Sequence, residues 1–215
     1  LFRSTSGDVN NINVLGPRAA APPATGPASR PTTRPVPYAQ MRAVADQLAE
    51  AVLAAHATAA YHNRVPLKIA ARELTLKSRR PSPELVGRAK RIVAGELKPK
   101  VPNELAYARR TLALADGPEE ITIPLQAVSV GDLGITAIPF EVFAETGLDL
   151  KARSPFPATF TIELANGSYG YLPTPEQHKL GGYEAWLGTN RVEEDASVKI
   201  TDAVLGLLGE LRAER

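Results

Sequence analysis

The apolar residues of this chain recur at intervals that change along its length, and each change marks a new element. Met41, Val44, Leu48, Val52 and Ala55 are spaced by three and four, which predicts a helix over residues 38 to about 60 with one buried face. Pro66 forces an extended start to the next segment. There Leu67, Ile69 and Ala71 alternate with their neighbours, and Leu74 and Leu76 follow in the opposite phase; the expectation is a strand with a bulge in its middle. Ser82-Pro83-Glu84 is a helix start: a hydroxyl N-cap, a proline where its missing N–H costs nothing, then a carboxylate at the positive end of the dipole. Leu85, Val86, Ala89, Ile92 and Val93 give that helix its apolar face, and a further short helix is expected over 103–115.

The third quarter turns to strands. Ile121, Ile123, Leu125, Val128 and Val130 lead into Gly131-Asp132-Leu133-Gly134, read as a turn from which 135–138 return antiparallel. A helix is expected over about 140–151. Phe160, Ile162 and Leu164 alternate with Thr159, Thr161 and Glu163, a strand that ends at Asn166-Gly167. Residues 168–194 show no clean period and read as a long surface loop. The chain closes on an amphipathic helix over 196–214, with Val198, Ala203, Val204, Leu207, Leu208 and Leu211 inward. No internal repeat is present. The fold class that follows is α/β, or α+β, with a mixed sheet containing at least one antiparallel hairpin and flanked by amphipathic helices.

Composition narrows this in a few places. At 44% hydrophobic over 215 residues the chain can bury a core. A formal charge of +2 gives no electrostatic footprint for nucleic acid or a membrane surface, so no nucleic-acid partner is expected. Zero cysteines remove disulfides, CxxC redox sites and thiolate zinc sites together. No apolar run approaches the ~18 residues of a membrane span, so no transmembrane segment is expected. Seven prolines between Pro17 and Pro37 set apart residues 17–37 as an extended linker or insertion. Residues 1–16 begin on Leu1 without a basic or apolar leader pattern, which suggests a continuation of an N-terminal half that is not in the chain.

Three spots carry polar residues that folding alone does not demand. Gly7-Asp8-Val9-Asn10-Asn11 is turn chemistry. Ile138-Pro139-Phe140-Glu141 places a carboxylate where a strand runs out into an expected helix start, a position that active sites of open α/β sheets favour; it equally serves the helix dipole. The segment from Asn166 to Thr174, followed by Tyr183-Glu184, brings Tyr169, Tyr171 and Tyr183, three of the six tyrosines, into fifteen positions. Each of those rings can equally be a loop anchor. His56, His62 and His178 form no HxxxH or HExxH pair, so no self-sufficient zinc motif exists, and His56 and His62 read as structural. GxSxG, Walker and GxGxxG patterns are absent, which removes the main support for serine hydrolase, NTPase and dinucleotide readings.

Taken in order, Gly7-Asp8-Val9-Asn10, Ile138-Pro139-Phe140-Glu141 with Thr146-Gly147, Gly170-Tyr171-Leu172-Pro173-Thr174 and Gly182-Tyr183-Glu184-Ala185 resemble the motifs of the neutral/alkaline non-lysosomal ceramidase family. That family carries Gly-Asp-Val-Ser-Pro-Asn, Pro-Gly-Glu-Phe-Thr-Thr, and Tyr-(Ile/Val)-Thr-Thr twelve residues before Tyr-Glu-(Gly/Ala). The similarity covers residues 1–16 and 38–215 and corresponds to the C-terminal part of the catalytic domain. It implies zinc-dependent hydrolysis of an N-acyl amide such as ceramide. Glu141 and Tyr171 would be zinc ligands, Tyr183 would be the catalytic donor to the oxyanion, and Asp8 and Asn10 would bind substrate. Two histidine ligands would come from the missing N-terminal part, so the chain alone should be inactive. A secreted or periplasmic location is also implied. Asn10 stands where the family has a serine, Phe140 where it has a glycine and Pro173 where it has a threonine, which opens the substrate to other lipid-like amides. The alternative is a non-catalytic relative, a structural or lipid- or carbohydrate-binding module that keeps the fold without a complete metal site.

Overall fold

The computed structural model describes residue 7 and residues 38–213. Two compact units are present, Asn10–Arg64 and a larger one made of Leu1–Val9 with Val65–Arg215. In the smaller, α1 (Ala39–Ala57) forms where the three-and-four spacing requires it. Its apolar positions are not covered, however: Met41, Val44, Leu48 and Val52 are all exposed. The period identifies a helix, but it says nothing of what packs on it.

The larger unit is built on a four-stranded mixed sheet in the order β1-β2-β3-β5, with β1 at Leu67–Lys77, β2 at Glu120–Val130, β3 at Leu133–Ile138 and β5 at Ala158–Glu163. Both β1/β2 and β2/β3 are antiparallel, so the expected hairpin is present. Its turn is only Gly131-Asp132, and Leu133 and Gly134 already belong to β3. Gly131 takes a positive φ of 55° there. Strands β3 and β5 are parallel and are joined through α4 (Ala144–Arg153).

No bulge interrupts β1, whose partners run without a gap from Leu67↔Val130 to Lys77↔Glu120. Strict alternation then puts Leu76 in the core and leaves Leu67 and Ile69 exposed on the other face. Pro124 sits inside β2 because the β3 pairing covers only Gln126 to Val130. At the proline, β2 is an edge on that side.

In β5 the polar positions of the alternation face the core. Thr159, Thr161 and Glu163 point inward and are buried, while Phe160 and Ile162 are only half-buried. Polar groups can face inward because each finds a partner. The hydroxyls of Thr136 and Thr161 lie 2.8 Å apart, and Thr159 donates to Ser154 Oγ at 2.6 Å.

Some of the helices pack on this sheet and others on each other. In α2 (Pro83–Val93), Ser82 caps as expected, its hydroxyl accepting from the Leu85 amide at 3.3 Å. Helix α3 (Glu104–Asp116) packs on α2 through Ala89, Ile92 and Ala108, with an Arg88–Glu104 ion pair between them. The long α6 (Ala196–Ala213) lies on β1 and β2 and buries Ile200, Val204, Leu207, Leu208 and Leu211 with Leu76, Ile123 and Leu125. Val198, expected inward, is exposed. The region expected as a bare loop holds β6 (Tyr171–Leu172), α5 (Pro175–Leu180) and a tight 3₁₀ turn at Tyr183–Ala185. It buries Leu172 and Val192 outright.

Candidate functional site

The site forms around a second, two-stranded parallel sheet. After β3 the chain does not enter a helix. It crosses through Pro139 and Phe140 into β4 (Glu141–Val142), and α4 begins only at Ala144. Glu141 is thus a strand residue rather than a helix-start residue. Its register partner in β6 is Tyr171.

Neighbouring segments hold this short strand from several directions. The Glu141 amide donates to the Gly170 carbonyl at 2.9 Å, and the Tyr169 amide to the Pro139 carbonyl at 2.9 Å. The Leu164 amide donates to the Phe140 carbonyl at 3.0 Å. The Val142 amide donates to Oε2 of Glu163, a carboxylate that is 4% exposed, at 3.1 Å. On the other flank, the Gly7 amide donates to the Val142 carbonyl at 2.8 Å.

Two glycines are required by these approaches. A Cβ on Gly7 would lie 2.6 Å from the Glu141 carbonyl oxygen. Gly170 has φ +96°, and a Cβ there would lie 2.4 Å from the Thr189 carbonyl oxygen. Leu164 and Asn166 also take left-handed backbone (φ 54° and 63°), so the segment joining β5 to the tyrosine loop is a locally strained connection beside the site.

Tyr171, in β6, faces Tyr183 in the 3₁₀ turn. Their hydroxyls are 3.3 Å apart, and the rings meet edge to face with centroids 5.6 Å apart. Tyr171 is half-buried, whereas Tyr183 is 48% exposed and reaches solvent. The Tyr171 phenol is held well above the usual tyrosine range, first by its hydrogen bond with Tyr183, then by burial, then by the hydrogen bond and negative charge of Glu141. Without a cation this phenol keeps its proton. Tyr171 and Tyr183 are therefore joined hydroxyl to hydroxyl, with the negative charge of Glu141 acting on the Tyr171 phenol. Tyr169 stands apart, with its ring tilted on the fully buried Phe140 at 5.7 Å, which is the anchoring role open to any loop tyrosine. Asp8 and Asn10 lie outside the described residues, as do 11–37.

As a donor set, a carboxylate and a phenol present hard oxygens to a divalent cation, and a dication at that point would lower the phenol's pKa. Two oxygens do not complete a coordination sphere. Among the described residues no group of three or more His, Asp or Glu side chains is placed to hold a metal ion. His178 lies on α5 with Nε2 buried and without a hydrogen-bond partner among the described residues. Its pKa is lowered by burial and by Arg79, against an opposing pull from Glu194. No described helix is long and apolar enough to cross a membrane.

Periodicity gave no sign of three residues that shape this region. Glu163 supports the β4 backbone, Asn190 donates through Nδ2 to the Tyr171 carbonyl at 3.1 Å, and Arg79 reaches both Asn190 and Ala185. The local signal for Glu163 is a charged residue ending a strand next to Asn166-Gly167. The contacts of Arg79 with Ala185 and Asn190 span more than a hundred positions and leave no local trace.

No protein-family model matches the chain, and no curated protein matches it in sequence. Among solved structures, the neutral ceramidase from Pseudomonas aeruginosa aligns with 87% of this chain at 15% identity and a TM-score of 0.53. A second structure, a ceramidase complexed with C2, aligns with 43% of this chain and 15% of its own at 17% identity and a TM-score of 0.40, an overlap that carries no argument. The fold is thus ceramidase-like, and the chain spans 35% of the length of the Pseudomonas protein.

Proposed function

We propose that this chain contributes half of a zinc site to an enzyme that hydrolyses an N-acyl, ceramide-like amide bond. The observation that carries the reading is the pairing of Glu141 with Tyr171 in the β4/β6 register together with the 3.3 Å contact between the Tyr171 and Tyr183 hydroxyls. The ceramidase-like fold supports it.

Glu141 and Tyr171 would hold the ion, with the remaining ligands, expected to be two histidines, supplied from outside this chain. When bound, zinc supplies a Lewis acid and a nucleophilic water at neutral pH. Every other contribution comes from the chain itself. Tyr183, half-exposed and tethered at its hydroxyl by Tyr171, is free to turn that hydroxyl toward a substrate carbonyl and to donate to the oxyanion as it develops. Tyr171 fixes where the Tyr183 oxygen waits before substrate arrives. Glu163 and Gly7 hold the β4 backbone on its two flanks, so the Glu141 carboxylate starts from a defined position. Asp8 and Asn10 are proposed to contact the substrate, and the replacement of the family's serine by Asn10 argues for a polar headgroup different from the sphingoid base. A small lipid-like amide is the proposed substrate, and export from the cytoplasm is the proposed location.

The test is release of fatty acid from a panel of N-acyl amides, N-acylsphingosine among them, by the full-length protein before chelation, after chelation and after zinc is restored. Hydrolysis that disappears and returns with zinc supports the reading. A protein that holds no zinc and cleaves none of the panel is the non-catalytic relative instead.

A further inference from the structure

Tyr171 and Tyr183 arrive on separate backbone segments, and one side chain from a third segment reaches the second directly and the first through Asn190. Arg79 follows the end of β1, and its own amide donates to the Arg191 carbonyl at 2.9 Å. Its Nη1 donates to the carbonyl of Ala185, the last residue of the Tyr183 turn, at 2.6 Å. The same nitrogen donates to Oδ1 of Asn190 at 3.2 Å. Asn190 is 1% exposed, and its Nδ2 passes the connection on to the Tyr171 carbonyl. The backbone beside it closes the loop, with the Tyr171 amide donating to the Thr189 carbonyl at 3.2 Å. The side chain of Arg79 is 22% exposed, and Glu194 lies 3.9 Å away.

A guanidinium suits this position because its donors are fixed in one plane and cannot swing apart. Withdrawing it from water is costly unless its donors are satisfied, and here Nη1 is spent on the segment that carries Tyr183, from which Asn190 carries the connection to Tyr171. A residue whose only task was to anchor one loop would not need the relay through Asn190.

We propose that Arg79 is a positioning residue that sets the separation of the Tyr171 and Tyr183 hydroxyls, acting through the Ala185 carbonyl on one side and through Asn190 on the other. Its functional importance rests on the reading that the two phenols work as a pair; its test does not use turnover.

The test combines backbone hydrogen exchange with the near-ultraviolet circular dichroism of the tyrosine pair, in the full-length protein. The pair's signal is defined as the difference between the parent and Tyr183→Phe. In Arg79→Ala, exchange over 169–172 and over 183–190 should rise together, by at least ~10-fold, and the pair's signal should vanish. Added guanidinium ion should restore that signal, which repair of general instability would not do. Asn190→Asp keeps the acceptor for Arg79 and deletes the donor to Tyr171. It should loosen 169–172 and leave 183–186 protected. Unchanged exchange in both segments of Arg79→Ala, or a pair signal that persists, would overturn the proposal. If Arg79→Ala does not fold, Asn190→Asp decides, and unchanged protection over 169–172 overturns it. If the clamp behaves as described while Tyr183→Phe hydrolyses normally, the positioning stands and the catalytic role of the phenol falls.

Discussion

Tyr171 and Tyr183 touch hydroxyl to hydroxyl at 3.3 Å although the whole of α5 lies between them in the chain. The contact places a half-buried phenol, whose proton is held tightly, against a half-exposed one that is free to meet a ligand. The Tyr183→Phe variant removes only that outer hydroxyl. If it donates to the oxyanion, kcat should fall roughly 10²-fold, about 3 kcal/mol, with KM and zinc content little changed. Loss of zinc in step with activity would show that Tyr183 serves the metal instead.

Gly170→Ala tests how closely the backbone leading into β6 is packed on the carbonyl of Thr189. The residue would have to keep a φ of +96° and place a methyl 2.4 Å from the Thr189 oxygen. The strand must shift, so the variant should lose at least ~2 kcal/mol of stability, and the Tyr171 backbone contacts should loosen with it. A melting temperature equal to the parent's would mean the loop tolerates displacement that this packing does not allow.

His178 gives a pH dependence whose sign is fixed. Burial and Arg79 lower its folded-state pKa below the ordinary value near ~6.5. The unfolded chain therefore binds the proton more readily, so the full stability is present above pH ~6.5 and declines as the pH falls below it toward the folded value. Denaturant titrations between pH ~7.5 and ~5 should show this decline, and His178→Gln should flatten it. An equal decline in the variant would assign the slope to other groups.

Much of the fold was legible in the sequence because it rests on local signals. The spacing of Val204, Leu207, Leu208 and Leu211 locates α6, although the buried Ile200 was missed and Val198 is exposed, and Ser82-Pro83 locates the start of α2 to the residue. Which face a strand buries was less legible. In β5 the threonines and Glu163 turn inward because hydroxyl pairs and the Val142 amide satisfy them, a compensation supplied by other segments. In β1 an apparent phase change between Ala71 and Leu74 reads as a bulge, but it reflects apolar residues left on the exposed face. At the site, Glu141, Tyr171 and Tyr183 are marked by motif and not by period. Of their supports, Glu163 leaves only the weak mark of a charge ending a strand, and the contacts of Arg79, more than a hundred positions away, are signalled by neither motif nor period.

The claim on which the account depends is that Glu141 and Tyr171 share one divalent cation. Elemental analysis of the full-length protein, its Glu141→Ala variant and its Tyr171→Phe variant tests it most directly, with circular dichroism to confirm that each is folded. The account predicts about one zinc per chain in the parent, in keeping with a single site, and loss of that zinc in the Glu141→Ala and Tyr171→Phe proteins. Parent and variants carrying the same zinc content, or a parent carrying none after growth in zinc, would contradict it.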